Sequence, residues 1–165
     1  MARIYEQRMM AEIEGDFVVF IIGMRINRPW KVHRWLPVFT AMPGMIRELY
    51  ENPESGLLGI NFHFGFPVIS MVQYWRSFEQ LERYARSKDR QHYPAWVAFN
   101  KQIGSHGDVG IFHETYLVKA GNYETLYNNM PAIGLGAAAK LVTVSEKRQN
   151  ARDRLAQQNS AIGAR

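Results

Sequence analysis

The sequence predicts an α+β fold in the β-α-β-β-α-β order of the ferredoxin-like pattern, an antiparallel four-stranded sheet with helices on one face. Three observations predict it. A β-branched and aromatic run, DFVVFIIGMRIN at 16–27, precedes a long segment with helical spacing. Two strand-like runs, 57–66 and 68–76, are separated only by Pro67. A second helical stretch and a fourth strand at 109–118 complete the series. A sheet covered on one face needs its other face hidden, by a second copy or by the chain's own tail, so a homodimer is expected.

Residues 1–14 mix charges with Ile4, Met9, Met10 and Ile13, the pattern of an arm or short strand that packs on a neighbour. Residues 15–135 form the domain. The run at 16–27 is apolar enough to be buried on both faces at its centre. Gly23 inside it marks a bulge or a close backbone approach. Val32, Trp35, Leu36, Phe39, Ile46, Leu49 and Tyr50 recur at three- and four-residue steps, the stripe of an amphipathic helix. Pro37 and Pro43 each remove a donor and clash one turn back, which predicts two helical pieces with a break near 42–44. Asn52-Pro53 ends the element.

In 57–66, Leu58, Ile60, Phe62, Phe64 and Phe66 alternate with Gly59, Asn61, His63 and Gly65, as in a half-buried strand. Ser77 and Gln80 make a capping box ahead of the inward stripe Phe78, Leu81 and Ala85. Pro94 suits the first turn of a further helix, with Trp96, Val97 and Ile103 inward. The small-residue run 134–139 reads as a linker or docked loop. Residues 136–165 read as a flexible basic tail with little hydrophobicity.

The 165 residues suit one domain, and four Trp, eight Tyr and nine Phe supply a well-filled core. With no cysteine, disulfides, thiolate catalysis and Cys-ligated zinc or iron–sulfur centres are excluded. The same lack fits a reducing cytoplasm. The first fifteen residues hold charges throughout, so no secretory signal is expected. The longest apolar run, 17–24, is far short of the roughly 20 residues of a membrane span.

The net charge of +5 sits largely after Lys140, in Lys140, Lys147, Arg148, Arg152, Arg154 and Arg165 against Glu146 and Asp153. Such a tail reads as a solvated aid to solubility, and nucleic acid is not an expected partner.

The chemistry-bearing residues fall between 68 and 116. His92 stands alone among Tyr93, Pro94 and Trp96, where an imidazole serves as a base near neutral pH or as a metal ligand. The alternative is a surface His beside the charged joint 86–90. His113 and Glu114 are adjacent on a strand and so point to opposite faces. Glu114 shares a face with Tyr116, and a buried carboxyl beside a phenol makes a proton relay. The alternative is a Glu satisfied by a backbone donor or by Arg25. Trp75, Gln73 and Met71 share a face, where Trp75 offers a flat wall and Gln73 a polar handle, or both pack in the core.

Trp35, Phe39 and Trp96 are further wall candidates for a small lipophilic molecule. Asn61 and His63 line the pocket or the dimer face, according to which way the Phe row points. His33 and His106 read as solvated. No HxD or HxxxH spacing suggests non-haem iron, no Gly loop cradles phosphate, and there is no nucleophile elbow. No metal site is expected.

Four pieces occur in order: Val72-Gln73-Tyr74-Trp75-Arg76-Ser77, Leu81-Glu82-Arg83-Tyr84-Ala85-Arg86, His92-Tyr93-Pro94-Ala95-Trp96 and His113-Glu114-Thr115-Tyr116. Together they resemble the fumagillin-pathway-type monooxygenase family, a branch of the antibiotic-biosynthesis-monooxygenase group of dimeric α+β barrels. The resemblance spans about 15–135. It implies a small oxygenase acting on a lipophilic or aromatic molecule, with either no cofactor or haem b. In the haem-degrading relatives a helix-borne His holds the iron, and His92 follows the second helix, as that His does. The group also contains aldoxime dehydratases that bind haem, so fold membership does not settle the reaction. A haem or hydrophobe carrier without turnover and a non-catalytic pathway accessory protein are the other readings.

Overall fold

The chain is described by a computed structural model covering residues 2–87, 97 and 106–156. Strand β1 (Met9–Glu12) precedes β2 (Phe17–Ile26), helix α1 (Val32–Glu51), β3 (Leu57–Phe64), β4 (Val68–Trp75), α2 (Phe78–Arg86), β5 (Val109–Val118), the single turn α3 (Leu135–Ala138) and β6 (Lys140–Thr143). The main sheet has the order β3-β4-β2-β5 with every neighbour antiparallel. The fold is therefore the expected ferredoxin-like α+β arrangement, with the hairpin β3–β4 returning its second strand beside β2. The further helix expected from Pro94 lies outside the described residues, apart from helical residue 97.

Strand alternation divides the sheet into two faces. The even-numbered residues of β2 and the odd-numbered residues of β4 meet the helices. At one end Val18 and Trp75 pack with Leu49 of α1 and with Leu81 and Tyr84 of α2. At the other, Met24, Ile26 and Val109 pack with Trp35, Val38 and Phe39. Ser77 caps α2 by accepting from the Gln80 N–H. A bulge between Leu57 and Gly59 brings Leu57 rather than Leu58 onto the helix-facing core.

α1 does not break near 42–44. It runs continuously with Pro37 and Pro43 inside it. Each proline forfeits one backbone donor, but the helix packs Trp35, Val38 and Phe39 half-buried at one end of the sheet and Leu49 buried at the other. Partial burial of several such side chains is enough to offset two missing hydrogen bonds, each worth about 1 kcal/mol net. Gly23 is a close approach and not a bulge. The β2 register is unbroken, and a Cβ there would meet Phe112 at 2.6 Å.

The opposite face is covered in part by the chain's own ends. β1 pairs with β6 from Met9↔Thr143 to Glu12↔Lys140. This ribbon and α3 bury Ala11, Phe17 and Leu135 against Val19, Tyr74, Tyr123 and Tyr127. The expectation of a flexible tail from 136 is corrected as far as 156. Residues 140–144, KLVTV, carry a β-branched pattern that the small-residue run before them masks. Arg154, 4% exposed, anchors the stretch beyond β6 through Glu124 at 2.5 Å and the carbonyls of Arg148 and Gln149. Among the described residues no helix is long and apolar enough to cross a membrane.

Candidate functional site

Two rows of apolar side chains cross three strands on the helix-facing side. Ile22, Met71 and Phe62 form one row; Met24, Ile69 and Phe64 form the next. Where α1 passes over them it offers Phe39, Met42, Pro43 and Ile46. The dry cores at either end of α1 hold helix and sheet apart, and the space between is a cavity of about 360 Å³. That volume is within the range of small-molecule sites. The Phe62 and Phe64 rings lie nearly parallel with centroids 5.7 Å apart. Among the described residues Arg47 is the one charged residue in the lining. It is exposed and makes no hydrogen bond or ion pair with a described residue, so its guanidinium is available at the rim.

A second charged feature supports the site from one end. Asp108, with its side chain 3% exposed, is bound by Arg28 at 2.8 Å and Lys31 at 3.0 Å, with Arg34 at 4.0 Å. Its carbonyl accepts from the N–H groups of Asn27 and Arg28. The Lys31 hydrogen bond, helped by the Arg28 charge, holds the carboxyl below the usual carboxylate range. The cluster fastens the entry of α1 to the start of β5 and so fixes the cavity roof over its floor.

Of the residues singled out in sequence, Phe39 lines the cavity. Trp35 packs beside it in the Met24–Ile26–Val109 core and donates to the Pro29 carbonyl at 3.0 Å. Trp75 is fully buried and packs on Tyr84; Gln73 is 7% exposed and occupied by Trp75 and Met71. Neither lines the cavity, because the α2 end of the sheet is filled. Glu114 and Tyr116 are hydrogen-bonded at 2.6 Å, and this bond raises the Tyr116 phenol above its ordinary range.

The Glu114–Tyr116 pair is exposed and on the opposite sheet face, which corrects the expectation of a buried relay beside the pocket. The cause is register: odd-numbered residues of β5 face the helices. His113 accordingly sits on the helix side, its ring 5.7 Å from Phe20. Phe62 and Phe64 point to α1, so Asn61 and His63 face away and contact each other at 2.5 Å. His92 and Trp96 lie outside the described residues. Sequence reasoning missed Arg47, Ile46 and Met42, although 39, 42–43, 46 form a helical stripe aimed at the Phe row.

Among the described residues no imidazole or phenol lines the cavity, and no three His, Asp or Glu side chains group as a metal site. The described lining therefore offers haem iron no imidazole, thiolate or phenolate, and of the usual ligands only the thioether sulfurs of Met24, Met42 and Met71.

Residues 17–135 match the family model described as Monooxygenase af470-like. Monooxygenase af470 of Aspergillus fumigatus is 32% identical over 133 residues, covering 74% of this chain and 46% of that protein. An aldoxime dehydratase crystallised with butyraldoxime aligns with a TM-score of 0.66 at 16% identity, over 87% of this chain and 44% of its own. Another aldoxime dehydratase gives 0.57 at 19%, over 90% and 43%. At such identities the structural likeness shows the fold alone. The chain spans about half the length of these relatives.

Proposed function

The chain belongs to the Monooxygenase af470-like family, and from that premise we propose that it is a monooxygenase-type oxidoreductase for a small lipophilic molecule held between α1 and the sheet. The observation that carries this reading is the cavity itself: rows of Ile, Met and Phe with, among the described residues, one cation at the rim. Apolar walls favour a lipophilic body by excluding water, and Arg47 favours a polar or anionic end at the mouth.

In a cofactor-free reaction a base removes a proton from an activated carbon of the substrate, and the carbanion reacts with O₂. One oxygen enters as a carbonyl and the other leaves as water; the substrate CH₂ carbon gives up four electrons, which reduce both oxygen atoms, and its two hydrogens leave as the protons of the water. His92 is the proposed base, or the ligand if haem is used. The dry cavity protects the anion from reprotonation.

The test is oxygen uptake with a panel of lipophilic ketones and phenols, together with a visible spectrum of freshly purified protein. Substrate-dependent uptake by a colourless protein supports the cofactor-free reaction. A Soret band lost in His92→Ala supports haem ligation. Ligand binding without uptake or colour supports a carrier, a second reading favoured by the lack of any acid–base group in the described lining.

Pairing of two copies through the uncovered part of the opposite sheet face belongs to the same proposal. Phe112 and Tyr116 are exposed there, 39% and 51%, and the relatives are about twice as long. Sedimentation giving only a 19.1 kDa species at all concentrations would remove this part.

A further inference from the structure

We propose that the end of the molecule built from the β2–α1 loop and the β3–β4 hairpin docks onto an anionic lipid surface. The proposal stands apart from whether the cavity turns over a substrate.

Three large aromatic side chains project from this end with almost nothing covering them: Trp30 at 74%, Phe64 at 74% and Phe66 at 76% exposure. The backbone brings them together. The Ile26 N–H donates to the Pro67 carbonyl at 2.9 Å, joining the end of β2 to the hairpin turn. Trp30 follows four residues later, on a turn closed by Lys31 N–H to the Arg28 carbonyl. Trp35 further fixes that turn through the Pro29 carbonyl. Phe64 pairs with Ile69, which lies opposite Met24, two residues before Ile26. The rings are thus presented from short, hydrogen-bonded turns, so little ordering is needed for them to enter an interface.

Among the described residues the charge at this end is mainly positive. Arg25 lies near the end of β2, and Arg28, Lys31 and Arg34 follow in the loop and the first turn of α1. From Leu57 to Trp75 the chain contains no Asp, Glu, Lys or Arg. Among the described residues, the carboxylate that faces Arg28 and Lys31 is Asp108. Arg28 and Lys31 on one buried carboxylate leave an excess of positive charge. Arg25 adds to it, since its hydrogen bond goes to the neutral Asn27 side chain.

Exposed Trp and Phe ringed by Arg and Lys match the polar-apolar boundary of an anionic bilayer. A second copy fits poorly, because a self-complementary contact would set the same cations against each other. Phe64 also belongs to the cavity wall, so a lipophile dissolved in the bilayer would reach the cavity from the docked end without crossing water.

The test uses the full chain and extruded vesicles, of phosphatidylcholine alone or mixed with phosphatidylglycerol. Wild type is expected to co-sediment with the mixed vesicles at least roughly tenfold better than with the neutral ones, and to be released by added salt. Trp30→Ser combined with Phe66→Ser is expected to lower binding by about tenfold or more with an unchanged melting temperature, since neither side chain is buried. Arg25→Glu is expected to weaken binding several-fold through charge. No binding to either vesicle overturns the proposal, as does wild-type binding by the double variant. Concentration-dependent self-association abolished by the double substitution, without vesicle binding, assigns the patch to contact between copies instead.

Discussion

Trp75 donates its indole N–H to the Gln73 side-chain Oε1 across 2.9 Å, and both side chains lie within the core. Gln73 in turn donates to the Met71 sulfur at 3.1 Å. Met71 forms part of the cavity floor. The three residues therefore run along one face of β4 from the packed end of the sheet to the edge of the open space, and the polar pair positions the floor without touching its contents.

Trp75→Phe keeps most of the packing but leaves the Gln73 oxygen buried without its donor. A loss of about 1–3 kcal/mol in chemical denaturation is expected, with the affinity for a lipophilic ligand within roughly twofold of wild type. A variant of unchanged stability that has lost ligand binding would make Trp75 a wall of the site after all.

The cavity itself is tested from its roof. Ile46→Trp adds volume into the open space without removing a buried polar contact. Binding of a lipophilic probe is expected to fall by tenfold or more, with a stability change of about 1 kcal/mol or less. Retained binding would place the ligand elsewhere.

Arg47 can be separated from the apolar walls. Arg47→Gln should weaken binding of decanoate by about tenfold, the order expected for losing a charge-assisted hydrogen bond, while decanol binds as before. Equal losses for both ligands would mean that the side chain contributes through its aliphatic stem.

The sheet and its topology were legible because alternation in 57–66 and the β-branched run at 16–27 are strong, local signals. The pocket was half legible. Phe39 is found on its wall, and the Phe row faces α1, but Trp75 and Gln73 are core residues. Sequence cannot distinguish a wall from a core when both need apolar residues on the same strand face. Glu114 and Tyr116 show a similar limit: alternation paired them correctly, yet it does not say which face of β5 meets the helices. That depends on register with β2, where Ile22 lies opposite His113. The docked C-terminal segment was missed because Arg154 is a charged residue in a polar stretch. Its burial depends on Glu124, thirty residues earlier.

Arg154→Ala tests that docking. The substitution leaves Glu124 without its partner and two backbone carbonyls without a donor. A loss of about 2 kcal/mol or more is expected, with increased proteolysis after residue 144. Unchanged stability would return the segment to the solvated tail expected from composition.

Asp108 gives the pH dependence. Its folded carboxyl titrates below the usual carboxylate range because Lys31, Arg28 and their hydrogen bonds favour the charged form. A group whose pKa falls on folding stabilises the fold at pH values above its unfolded pKa, ~4. That stabilisation is lost as pH drops through the lower folded value. Asp108→Asn should therefore lower the melting temperature clearly at pH 7, and the gap between variant and wild type should narrow in acid below the ordinary carboxylate pKa. Because the cluster ties α1 to β5 over the cavity, ligand affinity should fall along with stability in the same acid window. A gap independent of pH would show that the ionised carboxylate contributes no more than its neutral amide replacement.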